Sequence, residues 1–158
     1  MHRTAEKFSD RVRKGYGLEL EIQEFPKGTK TAEDAANAIG CELDQIAKSI
    51  VMKAGEDIVV VLTSGGNRVE SSKLADYLGT DENEVSPGDP GEVKQKTGWS
   101  IGGVPPFGHE NRVKVLMDEK LADFETVWAA AGTPEAVFEM EPEKLKDLSG
   151  AEVADVFE

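Results

Sequence analysis

Two apolar runs separated by a short polar turn constrain the fold of this 158-residue chain more than any other feature. The first run covers Lys48–Lys53 and the second covers Ile58–Thr63, with a glycine-containing turn at Ala54–Asp57 between them. Ile and Val recur in both runs, as they do in strands, and a turn of this length joins antiparallel neighbours. Because Ile58–Leu62 is apolar throughout, the second strand is expected to be buried. The sequence therefore predicts a β-hairpin.

Helical and strand patterns alternate irregularly along the rest of the chain. Apolar spacing and stop signals predict helices over Thr4–Lys14, Thr31–Ile39 and Glu42–Ala47, from Ser71 or Ser72 to Leu78, over Pro90–Thr97, at Asp118–Leu121 and from Pro142 to Leu148. Thr31 is predicted to cap its helix, with Asp34 in place of the preferred Glu, and Ser71 or Ser72 is predicted to cap the helix that ends at Leu78. Further strands are predicted over Leu18–Gln23, Trp99–Val104, Val113–Met117, Val127–Ala131 and Ala136–Met140. Because tight turns join several strand pairs, the order favours an α+β fold over a regular doubly wound one. We expect a single compact domain over residues 1–158, with a mixed, largely antiparallel sheet and surrounding helices.

Cysteine and histidine are too scarce for many kinds of site. Cys41 is the only cysteine, so an internal disulfide and a Cys-rich metal site are excluded, and a small apolar filler is favoured over a nucleophile. Two histidines cannot form a multi-histidine centre, and no HExxH or EF-hand pattern occurs, so we expect no metal and no cofactor. A mixed site of histidine and carboxylates is the alternative that the composition leaves open. No apolar run reaches the length of a membrane span, and the N-terminus lacks the apolar core of a signal peptide. We expect a cytoplasmic protein without membrane contact.

The charge balance is strongly acidic, with a net charge of −13 and a pI near 4.6. Such a chain is a poor general nucleic-acid binder, because phosphate contacts supply most non-specific affinity. Either the partner is not a nucleic acid, or the acidic surface surrounds a locally basic site. Residues Met1–Lys14 carry a local excess of positive charge. A solvated helix face and a phosphate-binding patch both account for this excess.

Glycine and proline cluster in residues 98–109, which we name the Gly/Pro loop. Gly65-Gly66 matches neither GxxxxGK[ST] nor GxGxxG, so a known nucleotide-binding loop is not expected there. In the Gly/Pro loop, glycines permit close backbone approach to a ligand, and Pro105 and Pro106 stiffen the chain. Such a loop can present amide groups to a developing oxyanion. A wide structural turn between two strands is the alternative.

Lys48 is the second candidate for a site residue, since it stands at the entrance of an apolar strand with Ser49 beside it. A lysine in this position is either a solvated strand end or a cation directed at a phosphate near the sheet edge.

These elements, in this order, resemble the YbaK / prolyl-tRNA editing family of trans-editing aminoacyl-tRNA deacylases. The segments that carry the resemblance are Ala47–Val51, Ile58–Thr63, Ser72–Ala75 with Gly79, Gly102–Gly108, Asp118–Leu121 and Val127–Gly132. The resemblance implies that Lys48 holds the phosphate of the terminal adenosine of the tRNA. It places the family's GxxxP loop on Gly102-Gly103-Val104-Pro105-Pro106 and implies catalytic roles for Gly102, Gly103 and Pro106. The backbone amides of this loop are expected to orient the ester carbonyl and stabilise the tetrahedral intermediate. The implied partners are the aminoacyl-adenosine end of mischarged tRNA and prolyl-tRNA synthetase.

In this family the chemistry depends on the substrate, because a ribose hydroxyl assists a water or a substrate thiol attacks internally. A Ser–His–Asp triad is therefore not needed. Six further residues are predicted to bind substrate: Val104, Pro105, His109, Asp118, Gly132 and Thr133.

Two of these residues, His109 and Asp118, leave alternatives open, and two others bear on specificity. His109 either titrates near neutrality and orients a water or is an exposed, passive loop residue. Asp118 follows an apolar strand, where an aspartate is commonly a helix cap. Val104 and Pro105 stand where members of the family that act on cysteinyl-tRNA commonly have small polar residues, which favours a small apolar amino acid such as alanine.

The predicted function is hydrolysis of the ester of mischarged tRNA, with Ala- or Cys-tRNA for proline as the substrate. A binding module of the same fold, which keeps the pocket without turnover, is the alternative that the acidic surface and the altered loop favour. A general small-molecule esterase is a third class, whose activity would be independent of RNA.

Overall fold

The computed structural model describes residues 2–26 and 29–158. In these ranges, five α-helices surround one mixed sheet of eight strands. The helices are α1 (Arg3–Tyr16), α2 (Ala32–Ile39), α3 (Ser71–Leu78), α4 (Pro90–Thr97) and α5 (Pro142–Ser149). The strands are β1 (Ile22–Glu24), β2 (Ile46–Ala54), β3 (Asp57–Ser64), β4 (Val85–Pro87), β5 (Lys114–Met117), β6 (Val127–Ala130), β7 (Ala136–Met140) and β8 (Glu152–Val153). Short 3-10 helices cover Leu43–Gln45, Glu82–Glu84 and Glu119–Asp123.

The sheet has the order β1-β7-β6-β2-β3-β5-β8, and β4 also pairs with β2. Strands β2 and β3 form the predicted hairpin, in register from Ala47 opposite Ser64 to Ala54 opposite Asp57. The pairings β1/β7, β6/β7, β2/β3 and β2/β4 are antiparallel, and β2/β6, β3/β5 and β5/β8 are parallel. The predicted α+β fold with a mixed, largely antiparallel sheet is confirmed.

Side chains alternate between the two faces of the sheet along the central strands. Ala47, Val51 and Leu62 belong to the larger core cluster, to which α1, α4 and α5 contribute. Ile46 packs with residues of α2, and Met52 packs with residues of α3. The sheet is therefore covered by helices on both faces. No helix in the described ranges combines the length and apolar character needed to cross a membrane.

The predicted helix signals are largely confirmed. Thr31 and Asp34 form a reciprocal capping box at the start of α2, so the predicted cap is correct even with Asp in place of Glu. Gly40 ends this helix with a φ of 84°, a left-handed conformation that glycine adopts without strain. The cap of α3 was assigned to the wrong residue: Glu70, rather than Ser71 or Ser72, accepts the hydrogen bond from the backbone N–H of Ser72.

Two predicted elements before the hairpin are wrong in extent or type. The helix predicted over Glu42–Ala47 is a single 3-10 turn, because Ile46 and Ala47 already pair with β6 and so begin β2. The strand predicted over Leu18–Gln23 is shorter and lies later, because only Ile22–Glu24 find partners on β7. In both places sheet pairing decides the boundary.

Candidate active site

An unpaired stretch in the middle of β2 lies at the centre of the candidate site. One edge of β2 pairs with β3 along nearly its whole length. On the other edge, β6 pairs only with Ile46 and Ala47, and β4 only with Met52–Ala54. Residues 48–50 therefore have no partner strand on this edge within the described chain, whereas the carbonyl oxygen of Val51 accepts from the N–H of Gly88 at 2.9 Å. Because unpaired strand edges present N–H and C=O groups, this stretch can receive a ligand between two neighbouring strands.

Lys48 begins the unpaired stretch, and its ammonium is half-buried. Its Nζ donates a hydrogen bond to the carbonyl oxygen of Gly65 at 3.2 Å. Within residues 2–26 and 29–158, Lys48 makes no salt bridge. Burial, and then the nearby guanidinium of Arg68, lower the pKa of Lys48 below its ordinary value. A half-buried ammonium beside a second cation, with one carbonyl as its acceptor, is a suitable partner for an anion such as phosphate.

The Gly/Pro loop does not begin with the predicted strand over Trp99–Val104. Gly98 ends α4 with a φ of 85°, and the N–H of Gly103 donates to the carbonyl of Ser100 at 3.1 Å, which closes a turn. Trp99 and Val104 are almost fully buried in the larger core cluster. Their apolar character reflects insertion into the core rather than pairing in the sheet, and this explains why the prediction was wrong.

Two side chains tie the ends of the loop together. The indole N–H of Trp99 donates to the carbonyl of Gly108 at 3.0 Å. The Nε2 of His109 lies 2.7 Å from the carbonyl oxygen of Pro105. A carbonyl oxygen only accepts, so this nitrogen carries the proton. Phe107 packs against Phe8 with ring centroids 5.8 Å apart, and an aromatic pair of this kind contributes about 0.5–1.5 kcal/mol. The loop is therefore held rigid.

The loop packs directly against the turn that follows β6. A Cβ atom on Gly103 would lie 2.6 Å from the Cα of Thr133 and 2.8 Å from the carbonyl oxygen of Gly132. Only glycine fits this approach, because the atoms it meets are backbone. The structure thus brings together four of the predicted site residues, Gly102 and Gly103 from one loop and Gly132 and Thr133 from the other.

Between residues 102 and 106 of the loop, two amides remain available for an oxyanion. The N–H of Gly103 is occupied by Ser100, and Pro105 and Pro106 have no amide proton. In the described part of the chain, the amides of Gly102 and Val104 have no hydrogen-bond acceptor. Gly102 is exposed, whereas the side chain of Val104 is buried. Gly102 therefore offers an exposed donor within residues 102–106, and the amides of the exposed residues Ser100 and Ile101 beside it likewise have no acceptor in the described chain.

Lys48 and the Gly/Pro loop lie on different faces of the sheet. Ile46 and Ile50, which share the face of Lys48, pack with residues of α2 and α3. Val104 and Phe107 pack in the larger cluster on the opposite face. Strand β6 runs parallel to β2, and Ala129 of β6 is opposite Ala47. The chain leaves the sheet shortly after Ala129, so the turn at Gly132–Thr133 lies beside the unpaired stretch. Lys48 and the Gly/Pro loop, the two predicted halves of the site, thus lie near the same unpaired stretch on opposite faces of the sheet rather than in contact.

Ser49 is a candidate that the sequence patterns did not single out. Its Oγ is buried, and no hydrogen-bond partner for it lies within the described residues. It occupies the middle of the unpaired stretch, and the alternation with Ala47 and Val51 directs its side chain to the face of the Gly/Pro loop. The sequence signal that could have revealed Ser49 is a hydroxyl residue at a strand position whose neighbours on the same face, Ala47 and Val51, are apolar. A buried donor without a partner is costly unless a ligand or a water satisfies it.

Asp118 is almost fully buried and caps the 3-10 helix Glu119–Asp123 by accepting from the N–H of Lys120. Its other oxygen accepts from the N–H of Ser64 at 3.1 Å and from the Asn67 side chain at 2.8 Å. Three donors therefore hold this carboxylate. Asp118 stabilises the turn that carries Gly65, the acceptor of Lys48, so it acts on the site through that turn.

His109 and Cys41 are poorly suited to proton transfer or nucleophilic attack. Burial lowers the pKa of His109, so the ring is neutral at pH 7, and its bond to Pro105 shows that it is not a passive exposed residue. Burial raises the pKa of the Cys41 thiol, which packs beside the α2 cluster, so it stays protonated as expected of an apolar filler. Within the described residues, no three side chains of the metal-binding types converge on a common point.

Comparison with known proteins connects this geometry with tRNA editing. The model of the aminoacyl-tRNA editing domain family matches residues 26–148. The uncharacterized protein YwhH of Bacillus subtilis (strain 168) is 32% identical over 139 residues, which are 87% of this chain and 87% of YwhH. The proline–tRNA ligase of Lactococcus lactis subsp. lactis (strain IL1403) is 33% identical over 107 residues, which are 67% of this chain but only 17% of the ligase.

A solved structure described as a "putative trans-editing enzyme for prolyl tRNA synthetase" has the same fold, with a TM-score of 0.91 and 38% identity. The match covers 100% of this chain and 99% of that one. The unpaired stretch and both loops of the candidate site fall within the residues that the family model matches. This chain belongs to the aminoacyl-tRNA editing domain family.

Proposed function

We propose that this chain is an aminoacyl-tRNA deacylase that hydrolyses the ester of mischarged tRNA and so contributes to translation fidelity. The observation that carries the proposal is the half-buried ammonium of Lys48, which has no carboxylate partner in the described residues. It lies next to the unpaired edge of β2, and Gly132–Thr133 border that edge. Similarity to a proline–tRNA ligase and to the structure described as a trans-editing protein supports tRNA for proline as the substrate.

In the proposed reaction, a water attacks the carbonyl carbon of the ester that joins the amino acid to the terminal ribose. Lys48 holds the phosphate of the terminal adenosine, and the amide of Gly102 donates to the carbonyl oxygen as it gains negative charge. The neighbouring ribose hydroxyl orients the water and relays its proton to the leaving ribose oxygen. The C–O ester bond breaks, and the products are the free amino acid and intact tRNA.

The loop composition favours alanine over cysteine as the amino acid removed. Val104 and Pro105 are buried, so they act on the bound amino acid through the shape of the loop rather than through direct polar contact. A pocket bounded by apolar, rigid backbone discriminates by size, and the discrimination is worth only about 1–3 kcal/mol per methylene. Alanine is therefore the proposed amino acid, and cysteine is the competitor to be tested beside it.

The test is deacylation across a panel of mischarged tRNAs that includes Ala- and Cys-tRNA for proline, at several salt concentrations. Lys48→Ala is expected to lower kcat/KM by roughly 10- to 100-fold, which corresponds to the loss of one charged hydrogen bond to phosphate. Lys53→Ala is the matched control, because this lysine lies on the same strand and pairs with Glu92 at 3.0 Å. The control is expected to stay within about twofold, since exposed ion pairs contribute little.

No ester loss above buffer for any substrate would overturn the proposal. One observation favours a non-catalytic binding module as the second candidate: Gly103 and the two prolines offer no free amide to an oxyanion. Tight binding of a non-hydrolysable aminoacyl-adenosine analogue, without turnover of the ester, would identify that function. Hydrolysis of simple esters with equal efficiency would instead identify a general esterase.

A further inference from the structure

Helix α1 is a basic element in an acidic protein. It carries five basic and two acidic residues, a local charge of +3, whereas the chain as a whole has a charge of −13. The sequence alone left two explanations open, a solvated helix face and a phosphate-binding patch. The placement of α1 relative to the Gly/Pro loop distinguishes them.

The basic residues of α1 are arranged in one outward-facing stripe. Arg3, Lys7, Arg11 and Lys14 recur at helical spacing, and Ala5, Phe8 and Val12 on the opposite side are fully buried. Arg13 lies outside the stripe and pairs with Asp10 at 2.6 Å. In the described chain, the four stripe residues form no salt bridge. Within that part of the chain, none of the four is therefore neutralised by a carboxylate in an ion pair.

The stripe is attached to the candidate active site. The guanidinium of Arg11 donates to the carbonyl oxygen of His109 at 3.1 Å, and the ammonium of Lys7 lies 5.0 Å from the centroid of the Trp99 ring. A Cβ atom on Gly132 would lie 3.2 Å from the Cγ2 of Thr4. The same helix thus contacts the Gly/Pro loop and the turn after β6, and its stripe extends outward from them.

We propose that the stripe Arg3, Lys7, Arg11 and Lys14 docks the phosphate backbone of the tRNA acceptor arm, an inference that rests on the proposed function. The eleven-residue separation of Arg3 and Lys14 corresponds to about 16 Å along the helix, which spans several consecutive phosphates of one strand. The net negative charge of the rest of the chain disfavours RNA, so an approach along the stripe, which directs the aminoacylated end toward the loop, is favoured. A basic helix can also bind membranes, but here the apolar face that would insert is fully buried in the core.

The test compares two double variants with the same change in net charge. The variant Arg3→Glu/Lys14→Glu changes the charge of the stripe and leaves Lys7 and Arg11, which contact the loop, unchanged. The control Lys96→Glu/Lys144→Glu makes the same change in net charge at exposed positions on α4 and α5. We expect the stripe variant to bind uncharged tRNA at least about tenfold more weakly, and the slope of log affinity against log salt to fall by about 2. The control variant is expected to stay near the unmodified protein, and thermal unfolding checks that both variants fold.

Deacylation adds a second readout. The stripe variant should lose kcat/KM on full-length mischarged tRNA and keep it on aminoacyl-adenosine, which is too short to reach the stripe. Equal losses on both substrates, or equal losses in both variants, would overturn the docking proposal. Capture by phosphatidylserine vesicles that depends on the stripe, with unchanged tRNA binding, would overturn it as well. If no substrate is hydrolysed but tRNA binding still depends on the stripe, the proposed catalysis fails and the docking surface stands.

Discussion

The contact between the Gly/Pro loop and the turn after β6 leads to a sharp prediction for two adjacent glycines. A methyl group on Gly103 would lie 2.6 Å from the Cα of Thr133 and 2.8 Å from both the Gly132 oxygen and the Thr133 nitrogen. All three atoms are backbone, so no side chain can rotate away and the two loops must separate. Overpacking of this kind costs about 1–3 kcal/mol, and we place Gly103→Ala at the upper end.

Gly102→Ala is the matched control. No atom lies within 4 Å of the position of its added methyl group, but its φ of 93° disfavours a side chain. That backbone strain costs about 1–2 kcal/mol and moves no neighbouring loop. The two variants add the same atom to neighbouring residues and differ in whether the contact between the loops survives.

Thermal unfolding and deacylation should separate the two glycine variants. Gly103→Ala should lower Tm by roughly 6–12 °C, and Gly102→Ala by roughly 2–8 °C, for a protein of this size. Because Gly103→Ala displaces the Gly102 amide, its deacylation rate should fall by about 100- to 1000-fold, the loss that follows removal of an oxyanion donor. Gly102→Ala keeps its N–H and should stay within about tenfold of the unmodified protein. A Gly103→Ala protein with unchanged Tm and rate would refute the proposed role of the loop contact.

Two further predictions concern buried polar groups. Ser49→Ala should raise the free energy of unfolding by about 1 kcal/mol, because the buried Oγ has no partner in the described chain. The same variant should lower the rate of deacylation, because the hydroxyl is proposed to hydrogen-bond to the substrate. Urea unfolding and steady-state kinetics measure both effects, and a destabilised or fully active variant would contradict this role. Asp118→Asn should lower the free energy of unfolding by about 2–3 kcal/mol. Both carboxylate oxygens accept from N–H groups, so in the variant the amide N–H₂ would point at one of these donors and a buried hydrogen bond would be lost. Unchanged urea unfolding would show that the Ser64–Asn67 turn does not depend on this charge.

Local signals in the sequence were sufficient for the hairpin and for most helix ends. The apolar runs of β2 and β3 and the capping box at Thr31 depend on residues a few positions apart, so their patterns can be read without knowledge of the fold. The predicted strand Trp99–Val104 failed for the opposite reason. An apolar run inserted in the core and an apolar run in a strand look alike in sequence, and only long-range packing distinguishes them.

The site was predictable in its parts but not in its arrangement. Gly102, Gly103, Gly132 and Thr133 come together because β6 lies beside β2, a pairing between residues about 80 positions apart. The unpaired stretch of β2 exists because β4 and β6 occupy different parts of the same edge, which no local pattern encodes. The placement of Lys48 on the other face from the loop follows from alternation along β2, once its neighbours Ile46 and Ile50 are known to be buried under α2 and α3.

The groups that could have served as a protein base are each committed to holding the site together. The Nε2 proton of His109 is bound to Pro105, and the ring is neutral because burial lowers its pKa. Both oxygens of Asp118 accept backbone or side-chain donors, and burial keeps the thiol of Cys41 protonated. What remains at the unpaired stretch is a cation, an exposed amide and a hydroxyl, which bind and polarise an ester but take no proton from water at neutral pH. The proposed reaction therefore requires the ribose hydroxyl of the substrate. A tRNA whose terminal ribose lacks the free hydroxyl should bind normally and resist hydrolysis.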